Sequence, residues 1–590
     1  MTGDPALKRD GGRREGMAHR RRGVRFGVLT GLVIGLGLAV GGNFPALAQA
    51  RASGIESEAG LYLSASQAER DSDYPTATEM LGRLLEAHPD DIRLRRRAFL
   101  AALSAGLRGE ALIHAEALRQ AGDTALPLVA LTQAVAVLAD GDADRAFALL
   151  NGVTAVGLER FALPFAEAWI RQAQGNTNEA VAVLEKAGLP DGTEGLLNEQ
   201  AAMIYLMAGD AMAAETKIKA LGDNVDILPV STKRLYARVL VAQGRASEAR
   251  ALLDRAAQGE AGSSLQLQSD RAILADNRIP PALAGGPSGG LALAFQTIAS
   301  FAQRQSQLMA LRYHRLALML EPELDLSWLG VGAILQDRQQ YGQSSAALQR
   351  VAATSPFRFE AQLEVVANLQ ADKRDDDAVK EAEALAKAHP DRFEPYMQIG
   401  TIERMRERWG KAIDAYDLAV KRVTAPDQRH WRLFYFRGIA HERNKDWDEA
   451  EADFKRALEL EPEQPYVLNY LAYSWVDRGI HIAEAKAMIK RAVAREYDNG
   501  AIVDSLGWVL YRIGEYEQAV KELERAIQLE PGDPTINDHL GDAYWMVDRK
   551  IEAEFQWKRA LNLKPDDEAR AVIEKKLKDG MEPPKVIRID

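Results

Sequence analysis

Small side chains return every 34 residues along this chain, and nothing else in it limits the possible folds so sharply. Ala310, Ser344, Ala378, Ala412, Ala450, Ala485, Ala519 and Ala553 keep that beat, with a few inserted residues near Thr424–His430. A second small series runs beside it at Gly332, Val366, Gly400, Gly438, Ala472, Gly507 and Gly541. Prolines ending a Leu-Glu-Pro triplet or a near variant fall in step at Pro322, Pro356, Pro390, Pro462, Pro531 and Pro565. A fixed period of this length means one supersecondary unit copied many times, each burying its apolar face against the next.

Ile502–Pro531 shows the inner logic of a unit. Leu506, Gly507 and Leu510 share one face of a first helix, and Gly514-Glu515-Tyr516 breaks it. Ala519, Leu523 and Ala526 then repeat at helical spacing on a second helix, which Pro531 ends. The small residues belong where the two helices cross closely. The N-terminal half keeps the beat more faintly: Ala77, Ala111, Ala146, Ala180, Ala214 and Ala249 lie 34 or 35 apart. Gly141, Gly175, Gly209 and Gly244 each precede one of them by five residues. The terminal prolines are mostly missing there, with Pro89 alone in place.

These units resemble the tetratricopeptide repeat family, whose signature reads W-x2-L-G-x2-Y, then A-x3-F, then P, over 34 residues. Trp328, Val331 and Gly332 with Ser344, Leu348 and Pro356 fit it, as do Leu540, Gly541 and Tyr544 with Ala553, Trp557, Ala560 and Pro565. Gly438 with Trp447, Ala450, Phe454, Ala457 and Pro462 is a third instance. One such match says little, because the signature is mostly small and apolar residues; eight in register between about Leu291 and Asp566 say much more. The resemblance implies an all-α fold, a right-handed α-solenoid of stacked helix-turn-helix hairpins, with about 14 repeats in two segments.

The expected division is 1–50 signal peptide, 51–260 N-terminal degenerate array, 261–290 Pro/Gly linker, 291–566 C-terminal array, and 567–590 capping helix and tail. Ile279–Gly290 carries four glycines and three prolines, which break helical rhythm. The favoured reading is a joint between two superhelical segments, and the alternative is an ordered loop folded back into the superhelix. Asp567–Lys578 reads as a charged amphipathic cap for the last repeat. The tail Met581–Asp590 reads as loose, or as a short extended segment able to add to a partner.

At the N-terminus, the basic patch His19–Arg25 precedes an apolar stretch, Phe26–Val40, and then Ala46-x-Ala48 and Ala48-x-Ala50. That order is a secretory signal, so the mature chain is expected to start at Gln49 or Arg51. The apolar stretch falls short of the roughly 20 residues needed to span a bilayer. The rival reading keeps it as an uncleaved anchor in the inner membrane with the repeats facing the periplasm.

Charge and composition exclude several functions. The chain carries a formal charge of −11 over 590 residues, and residues 1–50 are positive, so the body is more acidic than the total suggests. Such a body lacks the concentrated positive charge that phosphate backbones require, so no nucleic-acid partner is expected. There is no cysteine, which removes thiolate nucleophiles and thiolate metal sites. No His-Glu-x-x-His or phosphate-cradling glycine loop is present, and no Gly-x-Ser-x-Gly is expected in a strand-turn-helix. Asp140-x-Asp142-x-Asp144 has Arg145 where a calcium loop needs Gly and Asn151 where it needs Glu. No catalytic residue, metal, cofactor or small-molecule substrate is expected, and the chain does not read as an enzyme.

Binding is the remaining reading, and the resemblance places it on the concave face lined by first helices. Outward positions on the last four first helices are Arg432, Tyr435, Asn469, Tyr470, Tyr473, Asp504, Trp508, Tyr511, Asp538 and Trp545. Aromatic side chains give large contact area at little entropic cost, and Asn or Asp can bond a peptide backbone. The bland alternative is that these aromatics pack between neighbouring repeats. Some family members capture chaperone C-termini with a Lys, Asn and Arg clamp; the surface near Asn469, Ser505, Thr535 and His539 lacks that basic set. The expected function is a protein–protein scaffold of the bacterial cell envelope, periplasmic, holding a partner segment in its groove. The alternative is a regulatory or adaptor subunit of an envelope enzyme or assembly machine, associated with the membrane through its N-terminus.

Overall fold

The computed structural model describes residues 57–190, 192–222, 224–258, 264–584 and 586–587. The expected signal segment 1–50, and with it the choice between cleavage and anchor, lies outside these residues. Glu58–Asp590 forms one compact unit. Among the described residues there are thirty α-helices and no strand, and no helix is long and apolar enough to cross a membrane. The helices pair into fourteen hairpins, leaving Leu265–Ala275 and the terminal Asp567–Asp579 unpaired. Six hairpins lie between Glu58 and Gln258 and eight between Pro287 and Asn562.

Gly500–Leu529 shows how the sequence builds one hairpin. Asn499 caps the first helix by accepting from the Ile502 amide at 3.1 Å. At Gly507 an added Cβ would come within 2.5 Å of Leu523, so glycine is what lets the helices close on each other. Gly514, at φ +83°, turns the chain, and Ala519 opens the second helix with no exposed surface.

The same knob recurs sixteen residues after each glycine of the small series. A Cβ would meet Leu348 from Gly332, Tyr416 from Gly400, Phe454 from Gly438 and Trp557 from Gly541, all at 2.5–2.8 Å. Where the first helix carries Val366 instead, the facing residue is Ala382, and both are fully buried. Each of these crossings thus sets a small residue on at least one side, which close packing of the two helices demands. All fourteen Ala or Ser residues of the 34-residue series, from Ala77 to Ala553, have no exposed surface. The faint N-terminal units are therefore as closely packed at this crossing as the clear ones.

The segment read as a joint is packed instead. Leu265–Ala275 is a helix stacked on Ala246–Gln258, and its Asp270 is clamped by Arg234 and Arg238. Arg238 also donates to the Pro281 carbonyl at 2.7 Å. A helix starts at Pro287 and runs through Gly289 and Gly290 to Ala302. Pro287 occupies the first turn, where its missing N–H costs nothing. Gly290 lies against Trp169, where a Cβ would fall 2.3 Å from the indole. Of the four glycines that look like breakers, Gly290 is there for close approach, while nothing lies within 4 Å of a Cβ at Gly285 or Gly286.

This helix and its partner, Gln307–Leu320, fill the inner face of the N-terminal array. The first packs on Glu159–Ala173 and Glu194–Met207, the second on Pro127–Ala139 and Ile92–Ala105. Residues from Phe99 to Val239 and from Leu291 to Leu320 share a single apolar core. Arg312 and Arg315 reach the Ser104 hydroxyl and carbonyl at 3.1 and 3.3 Å. Farther along, Gln340 donates to the Asp71 carbonyl at 2.8 Å and Gln343 to Asp73 at 3.2 Å. The N-terminal hairpins thus wrap around the first C-terminal ones.

Candidate partner-binding groove

With the N-terminal inner face filled, the first helices that follow are the ones left to meet a partner. On Trp431–Arg443, Arg432 is exposed. Thirty-four residues on, Tyr466 occupies the same position of the next first helix and is 45% exposed. Met405, at the inner end of Glu394–Met405, is 64% exposed. Tyr435 and Tyr470 instead form a half-buried ladder with Phe454, with ring centroids 5.1–6.1 Å apart. Both phenols are pushed up by burial. For this pair, packing between repeats accounts for the aromatics. Asn469 and Tyr473 are half-buried beside them, and the Asn469 Oδ1 has no hydrogen-bond partner among the described residues. Burial, with Asp477 and Asp504 nearby, raises the Tyr473 phenol to about 12.

The last two units hold a network of a different kind. His539 is buried, its Nδ1 donates to the Asp504 carboxylate at 3.0 Å, and its ring stacks under Trp508 with centroids 4.0 Å apart. Trp508 stacks in turn on Tyr511 at 5.0 Å. Burial works against protonation of His539, but Asp504, with Asp538 and Asp542 behind it, outweighs that and raises its pKa. Lys576 reaches back from the cap helix to Asp538 at 2.9 Å and Asp542 at 2.7 Å. The Trp557 indole also donates to Asp542 Oδ1, at 2.9 Å.

The tail also returns to these units. The Trp545 indole donates to the Met581 carbonyl at 2.7 Å, and the Ile587 amide donates to the Arg512 carbonyl at 3.0 Å. Met581 and Ile587 pack against the apolar core of the last units, and Val586 lies over Gly514. The expected loose tail is therefore seated on its own chain. Of the ten residues expected to line one groove, Arg432, Asn469 and Tyr473 lie on the open stretch. Asp504, Trp508, Tyr511, Asp538 and Trp545 are engaged by His539, the cap helix or the tail.

Sequence reasoning overlooked Met405, Tyr466, Asp542, Lys576 and the tail contacts. For two of them the period itself held the signal: Tyr466 is Arg432 moved on by 34, and Asp542 is Trp508 moved on by 34.

Comparisons with known proteins point the same way. A family model described as a TPR repeat matches residues 507–548, and one described as a tetratricopeptide repeat matches 431–464. A TPR repeat-containing protein of Pseudomonas aeruginosa is 34% identical over 91 residues, a match spanning 15% of this chain and 15% of that relative. Among solved structures, the APC/C hetero-tetramer Cut9-Hcn1 is similar at a TM-score of 0.38 and 14% identity, over 91% of this chain and 98% of that one. A tetratricopeptide repeat protein from Parabacteroides merdae gives a TM-score of 0.34 at 14% identity, over 42% and 96%. At such scores the structural likeness carries no argument about shape or partner. The chain thus carries tetratricopeptide repeats at 431–464 and 507–548, set among fourteen hairpins in one register.

Proposed function

We propose that this protein is a scaffold of the bacterial cell envelope that holds a segment of a partner protein along the first helices between Glu394 and Arg478. Tetratricopeptide repeats generally mediate protein interactions, which gives the class of function. One observation carries the choice of surface. The N-terminal inner face is filled by the chain's own hairpin, whereas Met405, Arg432 and Tyr466 stand in solvent on successive first helices. Two of these three are large apolar or aromatic side chains, the kind that anchor interfaces. The acidic body suits a partner segment that is polar or basic between its apolar anchors.

The test places a photo-crosslinking residue at Tyr466, and in parallel at Lys373 in a turn, in the full chain expressed in its host. A discrete crosslinked species from position 466 that disappears in Met405→Ala/Arg432→Ala is the expected result. Equal crosslinking from both positions, or survival of the species in the double variant, rules the surface out. Export is tested separately by N-terminal sequencing of the mature protein. A start at Gln49 or Arg51 supports a periplasmic scaffold, and retention of Phe26–Val40 supports the anchored form.

A further inference from the structure

The described tail residues, Met581–Pro584 with Val586 and Ile587, outline a second docking site, at the other end of the C-terminal array. Gly580, at φ +74°, ends the cap helix beneath Trp545, where a Cβ would fall 2.8 Å from the indole. Beyond it Pro583 and Pro584 lack amide hydrogens and hold the chain extended. Three kinds of contact seat that extended segment. Main-chain pairing comes from Ile587 N–H to the Arg512 carbonyl, at the end of a first helix. A side-chain donor, the Trp545 indole, reads the Met581 carbonyl. Apolar anchors, the half-buried Met581 and Ile587, pack against the core of the last units, and the Tyr511 hydroxyl lies 3.7 Å from the Met581 sulfur.

These are the contacts by which repeat grooves take peptides: backbone bonds that ignore sequence and spaced apolar pockets that read it. None depends on covalent continuity with the cap helix. Val586 remains 44% exposed, so the segment lies on the surface and is not enclosed by it. The site under it is apolar at its two ends. Nearby stand Asp477, paired with Arg512, and Asp538 and Asp542, paired with Lys576.

We propose that the track from Trp545 to Arg512–Gly514 is a peptide-docking site whose resident ligand is the chain's own tail, and that it receives an extended partner segment of the same chemistry. That chemistry is an apolar residue, a short proline-containing spacer with a basic residue, and an apolar pair, as in Met581-Glu-Pro-Pro-Lys-Val-Ile587. The tail sets a threshold, since a partner gains only the difference between its own affinity and that of the covalently tethered competitor. This site is separate from the Met405–Tyr466 surface, and the two are tested by different variants.

The probe is a labelled synthetic peptide of residues 581–590, titrated by fluorescence anisotropy against the full chain and against Val586→Asp/Ile587→Asp. The double variant frees the tail without touching a helix. Expected is binding to the variant at least roughly tenfold tighter than to the native chain, the scale set by one buried apolar anchor. Adding Trp545→Phe, which keeps the ring and removes the indole donor, weakens that binding. Helix content by circular dichroism confirms that each variant is folded. Equal binding to native and tail-freed chains, no binding to a folded tail-freed chain, or indifference to Trp545→Phe overturns the proposal. None of these outcomes bears on crosslinking at Tyr466.

Discussion

Replacing Gly290 with alanine sets two physical effects of opposite sign against each other. Gly290 lies inside the helix Pro287–Ala302, where alanine ordinarily stabilises by about 1 kcal/mol through helix propensity. Its missing side chain, however, faces Trp169, and a Cβ would approach three indole carbons at 2.3–2.5 Å. Trp169 has no exposed surface, and its indole N–H is bonded to Gln200 at 2.9 Å, so the ring cannot swing aside freely. Overpacking of this kind costs about 1–3 kcal/mol, and a lost buried hydrogen bond adds about 1 kcal/mol. The expected net effect is a loss of about 1–3 kcal/mol. Gly82→Ala is the control, because Gly82 is also helical and nothing lies within 4 Å of its would-be Cβ; it should gain up to about 1 kcal/mol. Urea denaturation followed by circular dichroism gives the midpoints. Hydrogen exchange in Glu159–Ala173 and Pro287–Ala302 locates the loss, since repeat arrays need not unfold as one. If Gly290→Ala matches the stabilisation of Gly82→Ala, the helix does not rest on Trp169, and the filled N-terminal face is wrong.

Lys373 holds φ +61° in the turn position where Gly141, Gly175, Gly209 and Gly244 serve the N-terminal units. Lys373→Gly should raise the melting temperature, with a gain of about 0.5–1 kcal/mol after the entropy of glycine is subtracted; an unchanged or lower melting temperature counts against the left-handed turn. The Asp504 carboxylate holds the His539 pKa above the ordinary histidine value of about 6.5 in the folded chain. Its stabilisation is therefore complete below about pH 6.5 and is lost as pH rises through the folded value. Stability of the last units should fall as pH rises above about 6.5, and His539→Gln should flatten that slope; a slope preserved in the variant assigns it elsewhere. Lys576→Met leaves Asp538 and Asp542 without their cation. Because the side chains of Lys576 and Asp542 are only 13% and 6% exposed, the expected loss is about 2 kcal/mol. Amide exchange in Asp567–Ile587 should then quicken by roughly thirtyfold, and unchanged protection there would show that the pair does not hold the cap.

What the sequence discloses follows from how a repeat array is built. Contacts within a hairpin and between adjacent hairpins sit at fixed separations, so they leave a beat. Gly507 against Leu523 lies sixteen residues apart, and Arg432 and Tyr466 share a face because 34 residues separate them. The fourteen hairpins, the buried Ala series and the identity of the first helices were legible for that reason. Half of each groove assignment was legible too, since the period says which residues share a face but not whether that face stays open. Tyr435 and Tyr470 keep the beat and still pack against Phe454.

Contacts that close an array on itself obey no such beat. Gly290 meets Trp169, Arg312 meets Ser104 across 208 residues, Gln340 meets Asp71 across 269, and the tail turns back to Trp545. Each is a single event with no second copy in the sequence to reveal it. The residues involved also have a ready local explanation: glycine and proline as breakers, a polar turn, a charged end. Their local roles are even fulfilled, since Pro287 does begin a helix and Gly580 does end one. What distinguishes them is the partner, and the partner is set by the curvature that fourteen crossings accumulate. A change of volume at a crossing that lies between the contacting residues, such as the one at fully buried Ala180, alters that curvature slightly, and the inner hairpin then no longer meets Ser104 or Trp169 squarely. The volumes at the regular crossings and the solitary contacts inside the curve are therefore one constraint, and the open surface at Met405 and Tyr466 begins beyond the two hairpins that follow the enclosed one.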